Sequence, residues 1–545
     1  MSEINNSKKQ IRLPILLAVA ISAGILIGAS VVDPKPVSPE SSKAMAKFRE
    51  VLSNIDRSYV DSVNSNELVD IAIVNMLKEL DPHTIYVSAK ELEMANMRLK
   101  GGYDGIGVQF DIVRDTIIVV KPTAGGPSDM VGIKAGDKII KVEEEVVAGV
   151  DIDTRGVTDR LLGKKGTEVK ISVIHYEESE IKEYTIIRGK IAQETVVASY
   201  MANDDIGYIK LTSFGANSYD EFKEALSELK EQGMQKLILD LKGNGGGYMA
   251  AAEQIADELI GGDPIIVSQK GKVDHYNSIV HAKHTGIFEE QPIIVLMDEY
   301  SASASEIVAG ALQDNDRALI VGRRSYGKGL VQMPINLIDG SELRLTIARY
   351  YTPSGRSIQK PYVKGENSNY AHDIIERYEH GEFFHQDSIK VNDSLKFTTP
   401  KGRIVYGGGG IMPDNFVPYD STQNTDYYNN LIARRVLREF TLKYFLEHRN
   451  KLENTTLDGF INDFEVSEGM LANLKALGEE LDVAFDEEDY SVSKNHIKAY
   501  VKAEIARSVW DDAGFFPIYN DVSNESFVKA LTLFDEAQAL VSSYK

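Results

Sequence analysis

Three serines, Ser301, Ser303 and Ser305, stand at alternate positions in front of an apolar run that reads as a helix to Gln313. Serine is a middling helix former that favours caps, so one of them could be an N-cap and nothing more. The strand-like run "PIIVLM" at 292–297 precedes them, separated by the short turn "DEY". A strand, a turn and a helix start in that order can present a hydroxyl at a helix N-terminus. Unpaired N–H groups and the helix dipole favour a developing negative charge there. Ala302 and Ala304 would let a substrate backbone approach closely. Taken alone, the same residues also read as an N-cap with small-residue packing.

A serine nucleophile needs a base. No histidine lies within thirty residues downstream, and the nearest upstream is His284. His281 and His284 stand three apart but lack a third ligand at metal-binding spacing. Asp314 is eleven residues from Ser303, three helical turns. That separation is ~16 Å along a helix axis, too far for direct contact. Lysine remains as a candidate: "LIVGRRSYGKGLVQ" at 319–332 carries Lys328 between two glycines after an apolar strand. A phosphate-cradling reading of this stretch fails, because Gly329 stands where a hydroxyl is required. A lysine acts as a general base only when neutral. Lowering its pKa from about 10.4 to near 7 costs ~4–5 kcal/mol, which burial between apolar strands can supply. A solvated hairpin lysine is the other reading of this stretch.

Four stretches taken together are more specific than any one. "SASASEIVAGALQD" at 301–314, "GRRSYGKGLVQ" at 322–332, "LILDLKGNGGG" at 237–247 and "YYTPSGRSIQ" at 350–359 resemble the C-terminal processing peptidase (tail-specific protease) family of Ser/Lys-dyad proteases. The resemblance implies Ser303 as nucleophile, Lys328 as general base and Gln332 as a residue that supports the lysine. If 328–332 were extended, Lys328 and Gln332 would share a face ~13 Å apart, so a bend at Gly329 would be required. The resemblance also implies the amides of Gly247 and Ala304 as oxyanion donors, a role that the glycine run after a strand suits. Asp314 matches a family position, but its distance makes it a structural carboxylate. No metal or organic cofactor is required by such a dyad. The implied fold is an α/β protease core of crotonase-like αβ layers, with an inserted mostly-β PDZ domain and helical N- and C-terminal regions.

Short β-like runs separated by glycine turns occupy roughly 99–190. "GGYDGIGVQF" at 101–110 runs from a glycine loop into an alternating strand, an arrangement able to hold a substrate's terminal carboxylate while its backbone extends the sheet. This loop, "GGPSDMVGIKAGDKIIKV" at 125–142 and "LLGKKGTEVKISV" at 161–173 resemble a PDZ domain. Gly105, Ile106, Gly107 and Val108 would form the carboxylate loop. Relatives often carry a basic residue where this chain has Leu162, which removes one charged contact to the tail.

The remaining organisation follows from pattern and composition. Residues 33–98 read as linker and helices, 191–424 as protease core with a polar, irregular surface insertion at 360–400, and 425–545 as a helical extension that leaves oligomerisation or adaptor docking open. Lys8, Lys9 and Arg12 precede the uncharged segment 13–32, long enough to span ~30 Å of hydrocarbon as a membrane anchor, with a cleaved signal as the alternative. Residues 1–12 would then be cytoplasmic and the rest exported, in a bacterial inner-membrane, single-pass arrangement with the catalytic domain in the periplasm. The net charge of −22 argues against nucleic acid as a partner, and the absence of cysteine excludes thiolate catalysis and disulfides. The expectation is an exported, membrane-anchored serine endopeptidase whose partners are proteins or peptides with exposed C-termini. The rival is a non-catalytic PDZ scaffold or periplasmic chaperone on a protease-like fold.

Overall fold

The computed structural model describes residues 38–97 and 99–542. The segment 13–32 lies outside the described residues, and no helix among the described residues is long and apolar enough to cross a membrane. The chain divides into two units, Met1–Met76 and Leu77–Lys545. In the first, Ser38 caps the helix Pro39–Ser58 by accepting from the Ser41 amide at 3.1 Å, with proline opening the helix. Pro is well placed at a first turn because the missing N–H would have no partner there.

The second unit is built around a six-stranded sheet. Strands Ile206–Leu211, Lys236–Asp240, Ile293–Met297, Ala318–Gly322 and Asn415–Phe416 run parallel in that order, with Val196–Met201 antiparallel at one edge. Their sequences are continuous apolar runs, the pattern of a sheet covered on both faces. Alternate side chains divide between two cores. Leu237, Leu239, Ile293, Val295 and Ile320 pack under the helices Ser218–Glu231, Met249–Leu259 and Ala304–Asp314. Ile238, Ile294, Leu296, Leu319 and Val321 face Phe527, Leu533 and Phe534 of the C-terminal region.

A second, five-stranded sheet centres on Glu342–Tyr351, flanked by Ile85–Val87, Leu330–Asn336 and Ile265–Gly271. The strand Ile85–Val87 falls inside a stretch read from sequence as helices only. Three residues are too few to register a period of two. Between Val108 and Ile187 six strands and the helix Thr154–Leu161 enclose a separate apolar core. From Asp426 to Ser542 the chain is helical, including a long helix Glu487–Ser523 broken at Trp510 and Asp511.

The segment 360–400, expected to be irregular, carries the thirteen-residue helix Asn367–Glu379. Its polar composition masks buried anchors. Arg377 and Arg324 both pair with Glu382, and all three side chains are largely buried. Lys360 pairs with Asp373 and lies over the rings of Tyr326 and Tyr370.

Candidate active site

A cavity of about 720 Å³ gathers Ser303, Lys328, Gln332, Gly247 and Ala304 on its walls. Ser303 sits immediately after the turn that follows Ile293–Met297 and caps the helix Ala304–Asp314 with φ 57° and ψ −112°. Positive φ in a non-glycine residue costs about 1–3 kcal/mol and persists only where the surroundings enforce it. Here they do. The Ser303 amide donates to Glu306 Oε2 at 2.8 Å, and the Ala302 amide donates to the Asn244 carbonyl at 3.0 Å.

Glu306 is fully buried and organises both halves of the site. Its carboxylate accepts from the amides of Ser303, Lys328 (2.9 Å) and Gly327 (2.7 Å) and from the Ser325 hydroxyl (2.5 Å). Burial raises its pKa, and these four donors oppose that rise. Tyr350, from the second sheet, donates its hydroxyl to the Lys328 carbonyl at 2.7 Å, with the Ser303 carbonyl 3.2 Å away. The serine and lysine backbones are therefore held against the same two side chains. A serine followed three residues later by glutamate is a capping-box pattern, which is the sequence signal for Glu306. Tyr350 and His83 have no comparable local signal.

Lys328 is half-buried just before the strand Leu330–Asn336, and its side chain forms no ion pair or hydrogen bond among the described residues. Burial holds its pKa below the ordinary lysine value, with Glu306 and Asp81 opposing and Arg344 adding to the shift. His83 lies on the cavity wall with Nε2 2.8 Å from the Tyr370 hydroxyl. Burial, then the neighbouring Lys328, lowers its pKa to about 4, so it is neutral at pH 7. Gln332 shares the cavity, but its amide donates to Thr346 Oγ1 at 3.3 Å, and Thr346 Oγ1 donates to Asp81 Oδ1 at 3.0 Å. A register shift between Val331 and Gln332 supplies the irregularity in this strand.

The glycine loop lies directly against the serine. A Cβ at Gly246 would stand 2.8 Å from Ser303 Cβ, and one at Gly247 only 2.1 Å from the Phe214 carbonyl oxygen. Both have positive φ, 98° and 152°, so side chains are excluded twice over. The amides of Gly247 and Ala304 donate to no acceptor among the described residues. The loop's base is fixed by a polar network. The Asp240 carboxylate accepts from Tyr208, Lys210 and the Lys242 amide, while Lys242 Nζ donates to Asn524 Oδ1 at 2.7 Å.

Asp314 lies at the far end of the helix, paired at 2.7 Å with Arg356, both side chains fully buried, and accepting from Ser354. Gly105 ends the strand Gly102–Gly105, and Val108 opens the strand Val108–Val113, whose second edge pairs with no strand among the described residues. Gly105 and Ile106 are buried.

Comparison with known proteins places the chain in a family. Residues 205–366 match the profile of peptidase family S41, 105–186 that of the PDZ domain, 28–91 that of the activating protease CtpB N-terminal domain, and 427–511 a family of unknown function. The chain is 33% identical over 346 residues to a carboxy-terminal-processing protease of Bartonella bacilliformis, an alignment covering 62% of this chain and 79% of that one. It is 31% identical over 332 residues to the carboxy-terminal processing protease CtpB of Bacillus subtilis, covering 60% and 68%. It is 32% identical over 361 residues to CtpA of the same organism, covering 65% and 76%. The chain thus belongs to the carboxy-terminal processing proteases, serine-type enzymes of peptidase family S41, and carries their PDZ domain.

Proposed function

We propose that this protein is an exported endopeptidase that captures the C-terminal tail of a protein substrate on its PDZ domain and cleaves the chain with a Ser303/Lys328 dyad. The observation that carries the reading is the cavity itself. It joins a hydroxyl on a strained helix start, a lysine of depressed pKa and two undirected amides. Neutral Lys328 takes the Ser303 proton as Oγ attacks the scissile carbonyl carbon. The resulting oxyanion is stabilised by the amides of Gly247 and Ala304. Collapse expels the amine, which takes the proton back from Lys328 and leaves an ester on Ser303. Water, deprotonated by Lys328, attacks the ester, releasing the acid and restoring the serine. Gln332 steadies, through Thr346, the strand that follows the lysine, and Gly105–Val108 hold the tail carboxylate. The layered sheets and helices of the core are consistent with a crotonase-like arrangement. Segment 13–32 would hold the enzyme at the membrane, which carbonate extraction of the full chain tests directly.

The test of the dyad compares residues 34–545 with the Ser303→Ala and Lys328→Ala variants on an unfolded substrate with a free apolar C-terminus, following products by mass. Cleavage by the parent alone supports the dyad. Equal cleavage by all three sinks it, and tail binding without cleavage by the parent favours the scaffold reading instead.

A further inference from the structure

The open edge of the PDZ strand Val108–Val113 is free at one end and occupied at the other. A tail whose carboxylate sits in the loop Gly105–Val108 must add antiparallel to this strand. Its last residue then lies beside Val108, and successive upstream residues pass toward Val113. Ile112 is four residues beyond Val108, so the fourth upstream residue of the tail arrives there. At that point the polar groups of Ile112 are already engaged. Its amide donates to Asp111 Oδ1 at 2.9 Å, and its carbonyl accepts from Arg435 Nη1 at 3.2 Å.

Arg435 comes from the helical region, in a left-handed turn (φ 58°) that opens the helix Val436–Glu453. Together with Arg438 it pairs with Asp111, whose side chain is 8% exposed, while the two arginine side chains remain 56% and 53% exposed. Each guanidinium offers five donors, and Nη1 of Arg435 and Nε of Arg438 lie closest to Asp111. The nearby acidic groups Glu439 and Glu480 are taken by Arg114 at 2.7 and 2.9 Å. With Arg114 included, three arginines meet three carboxylates, so the cluster is balanced in charge, and what it offers at the strand edge is the two exposed guanidinium groups of Arg435 and Arg438.

From this geometry we infer that Arg435 and Arg438 form a subsite for a carboxylate side chain on the fourth or fifth residue upstream of the substrate's C-terminus. The inference rests on the tail-capture reading given above. The tail pairs with the strand as far as Phe110. It leaves the edge at Ile112 beside two exposed guanidinium forks, whose geometry matches a carboxylate. The helical region thereby reads the substrate jointly with the PDZ domain.

The experiment uses the full chain carrying Ser303→Ala, so that no peptide is consumed, and fluorescent decapeptides with a common apolar C-terminus. Glu, Gln or Lys is placed at the fourth and fifth upstream positions, and one peptide is amidated at its C-terminus. The Glu peptide is expected to bind about fivefold tighter than the Gln peptide, as for a partly exposed ion pair, with the Lys peptide weakest. The added variant Arg435→Gln keeps the Arg438–Asp111 pair and reduces the Glu preference toward unity, whereas Arg435→Lys retains part of it. Equal binding of Glu and Gln peptides, or a preference that survives Arg435→Gln with the fold intact by circular dichroism, overturns the subsite. If the amidated peptide binds as well as the free acid, the tail-capture reading falls and the subsite falls with it. Discrimination against the amide without an acidic preference removes the subsite alone.

Discussion

In the proposed dyad, proton transfer at Ser303 would be limited by the charge on Lys328. Below its folded pKa the lysine is an ammonium and cannot accept a proton; above it the amine is available. Because burial shifts that pKa downward, the active form appears at lower pH than a free lysine would allow. We therefore expect kcat/KM to rise with pH through an apparent pKa below the ordinary lysine value. A pH–rate profile checks this, and a flat profile would count against lysine as the base. Glu306 is expected to be as sensitive as the proposed dyad, since its carboxylate holds the Ser303 and Lys328 amides. Glu306→Gln keeps the shape but replaces one acceptor oxygen with a donor facing buried N–H groups, at a cost of roughly 1–3 kcal/mol. A lower melting temperature together with reduced kcat is the expected outcome, measured by thermal unfolding and steady-state kinetics. Ser303 and Lys328 stand out in the sequence only because four stretches together resemble one family; either stretch alone also reads as a helix cap or a solvated lysine. His83 does not, since more than two hundred residues separate it from both; Tyr350 opens the stretch at 350–359, but nothing local shows that its hydroxyl meets the Lys328 carbonyl.

The elements around the site are fixed by buried polar pairs as much as by apolar packing. Arg356 and Asp314 are both inaccessible to solvent, so Arg356→Met strands a carboxylate in the core. Breaking a buried pair in this way costs ~3–5 kcal/mol, which denaturant unfolding of the variant will read as a lower midpoint. Gly247→Ala is predicted to act locally. Its Cβ would collide with the Phe214 carbonyl and displace the loop, with a loss in kcat on the order of 10²–10³ if the loop supplies an oxyanion donor. Helical arithmetic alone was enough to separate Asp314 from the serine. The helix Asn367–Glu379 escaped notice because its anchors, Arg377 and Glu382, are charged residues buried by pairing, which a reading of hydrophobic periodicity scores as surface.

Over the whole molecule, the region from Asp426 onward is a load shared between two domains. Phe527, Leu533 and Phe534 cover one face of the central sheet, and Leu446, Phe445 and neighbouring residues share a core with Ala135, Val113, Ile118 and Val120 of the PDZ domain. Lys121 pairs with Asp511 at 2.6 Å, and Asn524 holds Lys242 at the base of the glycine loop. Helical periodicity announced these helices, but no local pattern tells which surfaces a helix will cover. Deleting 425–545 would expose Ile238, Ile294, Leu296 and Val321, so the truncated chain is expected in the insoluble fraction on expression. A soluble, folded truncation by circular dichroism would contradict that account. The most direct test of the central claim is the intact mass of the protein after an acid quench during turnover of a slowly hydrolysed peptidyl ester. The expected result is an acyl adduct mapped to Ser303 that is absent in Ser303→Ala and strongly reduced in Lys328→Ala. An adduct on another residue, or undiminished acylation without Lys328, would contradict it.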